Sequence, residues 1–138
     1  MRDDQNKSTA SAPSGLYSIS EVSELSGISA FTIRYYDKCG FFPDLQRDKN
    51  KVRWFSDRDI AALHLVDALR KSGLSIEGIQ YYVRLSLKGS ASRSERLAIL
   101  QARETVLEYQ KEELEQSLKT LQREFVELKQ ADDDRSGS

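Results

Sequence analysis

Ser29-Ala-Phe-Thr-Ile-Arg-Tyr-Tyr-Asp-Lys-Cys-Gly40 is the stretch on which the fold turns. Ser29 is a helix N-cap residue, since its hydroxyl can take an orphan backbone N–H of the first turn. The helix it opens runs through Phe31, Ile33 and Tyr36 and ends near Gly40. Just upstream, Ser18-Ile-Ser-Glu21 is a capping box, in which serine and glutamate satisfy each other's backbone donors. It predicts a first helix with Val22 and Leu25 inward, stopped by Gly27. Two short helices joined by a glycine-containing turn form a helix-turn-helix pattern.

Working outward, the pattern changes after Pro43. Leu45-Gln-Arg-Asp-Lys-Asn-Lys-Val-Arg-Trp-Phe55 sets β-branched and aromatic residues around the polar cluster Asp48-Lys-Asn-Lys51, which predicts a short hairpin with a basic tip. Ser56 then caps a third helix through Ile60, Leu63, Val66 and Leu69 to Gly73. Ser75 starts a fourth through Ile79, Tyr82 and Val83 to about Leu87, broken by Gly89. Ser92-Arg-Ser-Glu95 reads as another capping box, and no Gly or Pro follows until Gly137. Leu100, Leu107, Leu114, Leu121 and Leu128 recur every seven residues, with a second row at Leu97, Leu118 and Phe125. Such spacing argues for a coiled coil. A helix from Ser92 to Gln130 would be about 58 Å long. Nothing else in this small chain could cover such a stripe, which predicts a second copy as the partner, the alternative being a helix folded back on its own domain. The expected organisation is a disordered leader at 1–15, a helix-turn-helix domain with its hairpin at 16–90, a dimerisation helix at 91–130 and a disordered tail at 131–138.

Composition narrows the function classes. The chain has 138 residues, 21 Lys or Arg against 22 Asp or Glu, and 38% apolar residues. The near-neutral total hides an uneven distribution. Seven basic residues meet four acidic ones between Arg34 and Arg58, whereas from Ala91 onward eight face eleven. Cys39 is the one cysteine and His64 the one histidine, which excludes a disulfide framework, a cysteine-cluster zinc site and a two-histidine metal pair. No metal site or cofactor is expected. No apolar run is long enough to span a bilayer, and the first fifteen residues lack a signal-peptide core. A cytoplasmic protein with no membrane partner is the expectation. Catalysis has no foothold: His64 sits among Leu63, Leu65 and Val66 as a helix-packing residue, and the carboxylates of the long helix read as a solvated face.

The second helix carries the chemistry. Arg34 and Lys38 are one turn apart and can both face a phosphate backbone, and Tyr35 and Tyr36 have hydroxyls for phosphate or base edges. The triplet alone leaves open that Tyr36 is core and Arg34 merely solvated. Its context is more specific. Arg34-Tyr-Tyr-Asp-Lys-Cys-Gly40, then Arg53-Trp-Phe-Ser-Asp-Arg-Asp-Ile60, then Leu69-Arg-Lys-Ser-Gly-Leu-Ser75 resembles the DNA-binding domain of the MerR (mercury-resistance regulator) family from about Tyr17 to Leu87.

The resemblance implies an all-α fold with a small β-hairpin wing. It places the second helix in the major groove, the wing on the flanking backbone, and a homodimer joined through an antiparallel coiled coil. It assigns groove and phosphate contacts to Ser29, Phe31, Thr32, Arg34, Tyr35 and Tyr36, with Lys38 beside them and Arg53 in the wing. Lys49 and Lys51 join the set on charge alone. Phe31 could touch a thymine methyl or simply pack, and Trp54 could pack or lie on the sugar-phosphate backbone. Dimerisation is expected through Leu100, Leu107, Leu114, Leu118, Leu121, Phe125 and Leu128.

Within the family, the metal-sensing branch carries cysteines around the long helix, absent here after Cys39, and the drug-sensing branch appends a ligand domain for which residues 131–138 leave no room. The short aldehyde- and thiol-stress branch is most similar, although Ala68 stands where that branch has its reactive cysteine. Cys39 reads as a small, partly buried filler, the alternative being a redox thiol whose pKa is lowered by the nearby Arg34 and Lys38. The expected function is a sequence-specific transcriptional regulator that binds a palindromic promoter spacer in double-stranded DNA and distorts it, acting on RNA polymerase indirectly. The alternative is a coiled-coil interaction protein whose winged domain lacks specific DNA binding.

Overall fold

The computed structural model describes residues 12–137; most of the expected leader and Ser138 lie outside them. Among the described residues, five α-helices and one hairpin follow in the order α1 (Ile19–Ser26), α2 (Ala30–Lys38), β1 (Gln46–Arg47), β2 (Arg53–Trp54), α3 (Asp57–Lys71), α4 (Ile76–Ser86) and α5 (Arg93–Gly137). Serine caps explain four of the starts. Ser18 and Glu21 close a reciprocal box on α1, and Glu21 N–H donates to Ser18 Oγ at 3.1 Å. Ser56 and Asp59 do the same on α3, while Ser29 and Ser75 cap α2 and α4. Gly27, left-handed at φ 76°, ends α1 and lets the chain turn sharply into α2.

One apolar core joins these elements. Val22 of α1, Ile33 and Tyr36 of α2, Phe41 and Phe42 of the following loop, Phe55 after β2, Leu63, Val66 and Leu69 of α3, and Ile79 and Tyr82 of α4 are all buried in it. The Phe42 and Phe55 rings meet edge to face at 5.7 Å between centroids, a geometry favoured by the aromatic quadrupole. Tyr17 and Phe55 exchange backbone hydrogen bonds of 2.8 Å in both directions, so the chain entering α1 is fixed to the base of the hairpin.

The hairpin itself is antiparallel, pairing Gln46 with Trp54 and Arg47 with Arg53. Asp48 organises its tip: Asn50 and Val52 N–H groups donate to Oδ1, and the indole N–H of buried Trp54 donates to Oδ2 at 3.1 Å. Those hydrogen bonds hold the Asp48 carboxyl below its ordinary range. Trp54 is therefore a packing residue.

Four expectations are corrected. Leu25 is 66% exposed, because Val22 takes the inward position of the short α1. His64 is exposed rather than packed, since Leu63, Val66 and Leu69 fill the inner face of α3. The third capping box does not form at Ser92. That residue is buried in a 3₁₀ turn (Gly89–Ser92), where its hydroxyl donates to the Leu85 and Gly89 carbonyls, and Glu95 instead accepts from the Tyr81 hydroxyl. Finally, α5 does not stop at Gln130. It continues through the Asp-rich segment to Gly137, with no helix breaker on the way.

Lys51 is the one non-glycine residue with a positive φ, 67°, among the described residues. An L side chain in that region carries strain of roughly 1–2 kcal/mol, partly offset by the entropy a glycine would lose. Lys51→Gly is therefore expected to raise stability by up to about 1 kcal/mol in urea unfolding. A clear loss of stability would show that Lys51 makes a contact outweighing the strain.

Candidate nucleic-acid interface

Residues three and four apart share a helix face, and α2 uses this to separate two chemistries. Ile33 and Tyr36 point into the core, whereas Phe31, Arg34, Tyr35 and Lys38 form one exposed stripe. Phe31 is 78% exposed, at the N-terminal end of the helix. Arg34 and Lys38 make no ion pair among the described residues. The neighbouring Cys39 thiol raises the Tyr35 hydroxyl above its ordinary range.

The remaining sequence-expected residues divide. Ser29 is exposed but already engaged: Thr32 N–H donates to its Oγ at 3.1 Å, and its own hydroxyl donates to Thr32 Oγ1 at 3.0 Å. Thr32 is half-buried. Tyr36 is not on the exposed stripe. At 6% exposure it lies in the core with its ring 5.6 Å from that of Phe41. Its inclusion as a groove residue is corrected on that ground, because it occupies the face opposite Arg34 and Lys38. Lys49 and Lys51 are exposed at the hairpin tip. Cys39 is half-buried at the end of α2, where its carbonyl accepts from the Gln80 side chain at 2.9 Å.

Arg53 is tied down. Its Nε donates to Asp37 Oδ2 at 2.7 Å, and Arg47 Nη2 donates to the same oxygen at 2.7 Å. Sequence reading missed both Arg47 and Asp37. The hairpin register sets the two arginines directly opposite each other beside this carboxylate, an arrangement of residues ten and sixteen apart that no local sequence signal gives. Burial works to raise the Asp37 pKa, but the hydrogen bonds from Arg53 and Arg47 outweigh it and the net shift is downward. A depressed folded-state value means that this ion-paired contribution is complete above the unfolded carboxylate range of about 4. It fades only as pH falls through the lower folded value.

The long helix leaves its domain early. Leu100 packs partly against the domain core and Leu107 is half-buried. Leu114, Leu118, Leu121, Phe125 and Leu128 are 55% to 70% exposed. Among the described residues no cluster of His, Cys, Asp and Glu could hold a metal ion, and no helix is long and apolar enough to cross a membrane.

A helix-turn-helix with its outer helix face basic and aromatic, flanked by a cationic hairpin, defines a winged helix-turn-helix module. The model for the MerR HTH family of regulatory proteins matches residues 17–85, and the chain belongs to this family. An uncharacterised HTH-type transcriptional regulator of Haemophilus influenzae is 32% identical, the match covering 77% of this chain and 78% of that one. The HTH-type regulator YyaN of Bacillus subtilis is also 32% identical, over 76% of this chain and 85% of its own. Among solved structures, HiNmlR, a MerR family regulator lacking the sensor domain and bound to promoter DNA, superposes with a TM-score of 0.70. It is 31% identical, and the match covers 80% of this chain and 88% of that one. A MerR family regulator from Bacillus thuringiensis gives 0.72 at 28% identity, over 81% and 98% of the two chains.

The two adjacent tyrosines are expected to behave oppositely. Tyr36→Ala should cost about 3 kcal/mol or more of stability, as for a truncated core aromatic. Tyr35→Ala should leave urea unfolding nearly unchanged and weaken duplex DNA binding in fluorescence anisotropy. A reversal of that pattern would mean that the faces of α2 have been misassigned.

Proposed function

We propose that this chain is a DNA-binding transcriptional regulator that acts as a homodimer on a palindromic promoter spacer and distorts it to control RNA polymerase. The observation that carries the reading is the Phe31–Arg34–Tyr35–Lys38 stripe beside a basic hairpin tip. Arg34 and Lys38 supply phosphate contacts that fix register, Tyr35 supplies a donor, and Phe31 supplies an apolar surface for a thymine methyl. Lys49, Lys51 and the free N–H groups of Arg47 and Arg53 reach for flanking phosphates. The promoter-bound HiNmlR structure supports the assignment. The protein works by binding rather than catalysis.

Dimerisation follows from the exposed apolar row of α5. Leucines and a phenylalanine at heptad spacing, exposed over half of a 45-residue helix, find cover in a second copy of the same helix. The α5 pair, arranged antiparallel, sets the separation of two recognition helices. Contacts at both half-sites supply the free energy that bends and untwists the DNA between them.

Salt titration tests the binding mode. The logarithm of affinity should fall linearly with the logarithm of salt, at about 0.9 per phosphate neutralised; affinity insensitive to salt would favour a winged domain that serves only protein contacts. Leu114→Asp should convert the dimer to a monomer in sedimentation and weaken operator binding, because paired half-sites gain from effective concentration. A monomeric unmutated protein at micromolar concentration would contradict the architecture. Cys39→Ser should leave operator affinity and promoter output unchanged under oxidants and aldehydes. If an inducible response disappears in that variant, Cys39 is the sensor.

A further inference from the structure

The strands of the wing are joined to α2 by two hydrogen bonds among the described residues, and both end on one atom, Asp37 Oδ2. Arg47 lies on β1 and Arg53 on β2, directly opposite each other in the hairpin register. Like charges facing across an antiparallel pair repel, so this hairpin needs a counter-charge at that rung. Asp37 supplies it from another element. Its side chain is 6% exposed, whereas those of Arg47 and Arg53 are 43% and 24% exposed. The carboxylate thus sits inside the joint while both arginine side chains keep part of their surface in solvent.

Asp37 also sits next to the reading stripe. It lies three residues beyond Arg34 and one before Lys38 on α2. An acidic side chain at that position opposes binding to any polyanion by simple electrostatics. Its contribution must come from geometry, and the geometry is that of a strut. Two short charge-assisted bonds of 2.7 Å, one to each strand, fix the hairpin against the helix in rotation as well as distance.

We infer that Asp37 is a positioning residue for DNA reading, one carboxylate oxygen that locks both wing strands to the recognition helix so that groove and flanking phosphates are engaged in a single register. The inference rests on the proposed function and adds a determinant of discrimination that does not itself touch DNA. Arg47 and Arg53 are then partly neutralised, pre-oriented phosphate ligands rather than free cations. Positioning of this kind raises specific over non-specific affinity, because only the correct site presents groove edges and phosphates at the locked spacing.

The test uses the full-length protein, the duplex it selects from a random pool, and a scrambled duplex of equal length. Asp37→Asn removes one negative charge at constant size. Affinity for the scrambled duplex should hold or rise, and its salt dependence should steepen by about 0.9. Affinity for the selected duplex should fall, so that the ratio of the two drops at least tenfold. An unchanged ratio overturns the inference, as does a parallel rise of both affinities, which would make Asp37 only a charge.

Arg47→Gln gives a second arm that is independent of how Asp37→Asn folds. It should also lower the ratio, and the double variant should lose no more discrimination than Asp37→Asn alone, since both act through one joint. Additive losses in the double variant would overturn the strut. If the unmutated protein shows no preference between the two duplexes, the failure belongs to the proposed function instead.

Discussion

The burial of Phe55 is the constraint on which the other parts depend. It is fully buried, lies edge to face with Phe42, and exchanges backbone hydrogen bonds with Tyr17. That residue joins the start of α1, the base of the hairpin and the approach to α3. With Phe41 and Tyr36 it builds an aromatic centre large enough to fix four short helices, none of which would be stable alone at 8 to 15 residues. Because the inner face of α2 is pinned to this centre, its outer face is held rigid, and a rigid outer face can read a surface.

The polar features of the interface grow from the same arrangement. With the hairpin base fixed by Phe55, its two arginines arrive opposite each other within reach of Asp37. Asp48 then completes the tip, taking three donors on one carboxylate and leaving Lys51 in a strained backbone conformation with its ammonium group outward. Beyond the domain, α5 carries its leucines away from this core into solvent, so a second copy completes the molecule.

Local signals were legible because they act over three or four residues. The serine caps at Ser18, Ser29, Ser56 and Ser75 and the glycine stop at Gly27 each report on a single helix end. The seven-residue leucine spacing reports on one long helix. Features set by tertiary packing were not legible. Both tyrosines of the Tyr35-Tyr36 pair suit a groove by composition, and only the direction of α2 against the core shows that Tyr36 faces inward. Leu25 and His64 were misread for the same reason, since short amphipathic segments do not reveal which apolar positions the core takes. Ser92 misled because a serine three residues before a glutamate forms a box only when the preceding backbone is extended, and here it closes a 3₁₀ turn. The Asp37 joint spans ten and sixteen residues and involves two strands, so no local pattern announces it.

The central claim is that two copies of one basic, aromatic helix face, held apart by a shared α5 pair, read DNA together. Selection of duplexes from a random pool by the purified, unmutated protein tests it most directly. The expected result is enrichment of an inverted repeat whose half-sites are separated by about one helical turn or a multiple of it. Enrichment of a lone half-site, or of no sequence at all, would contradict it.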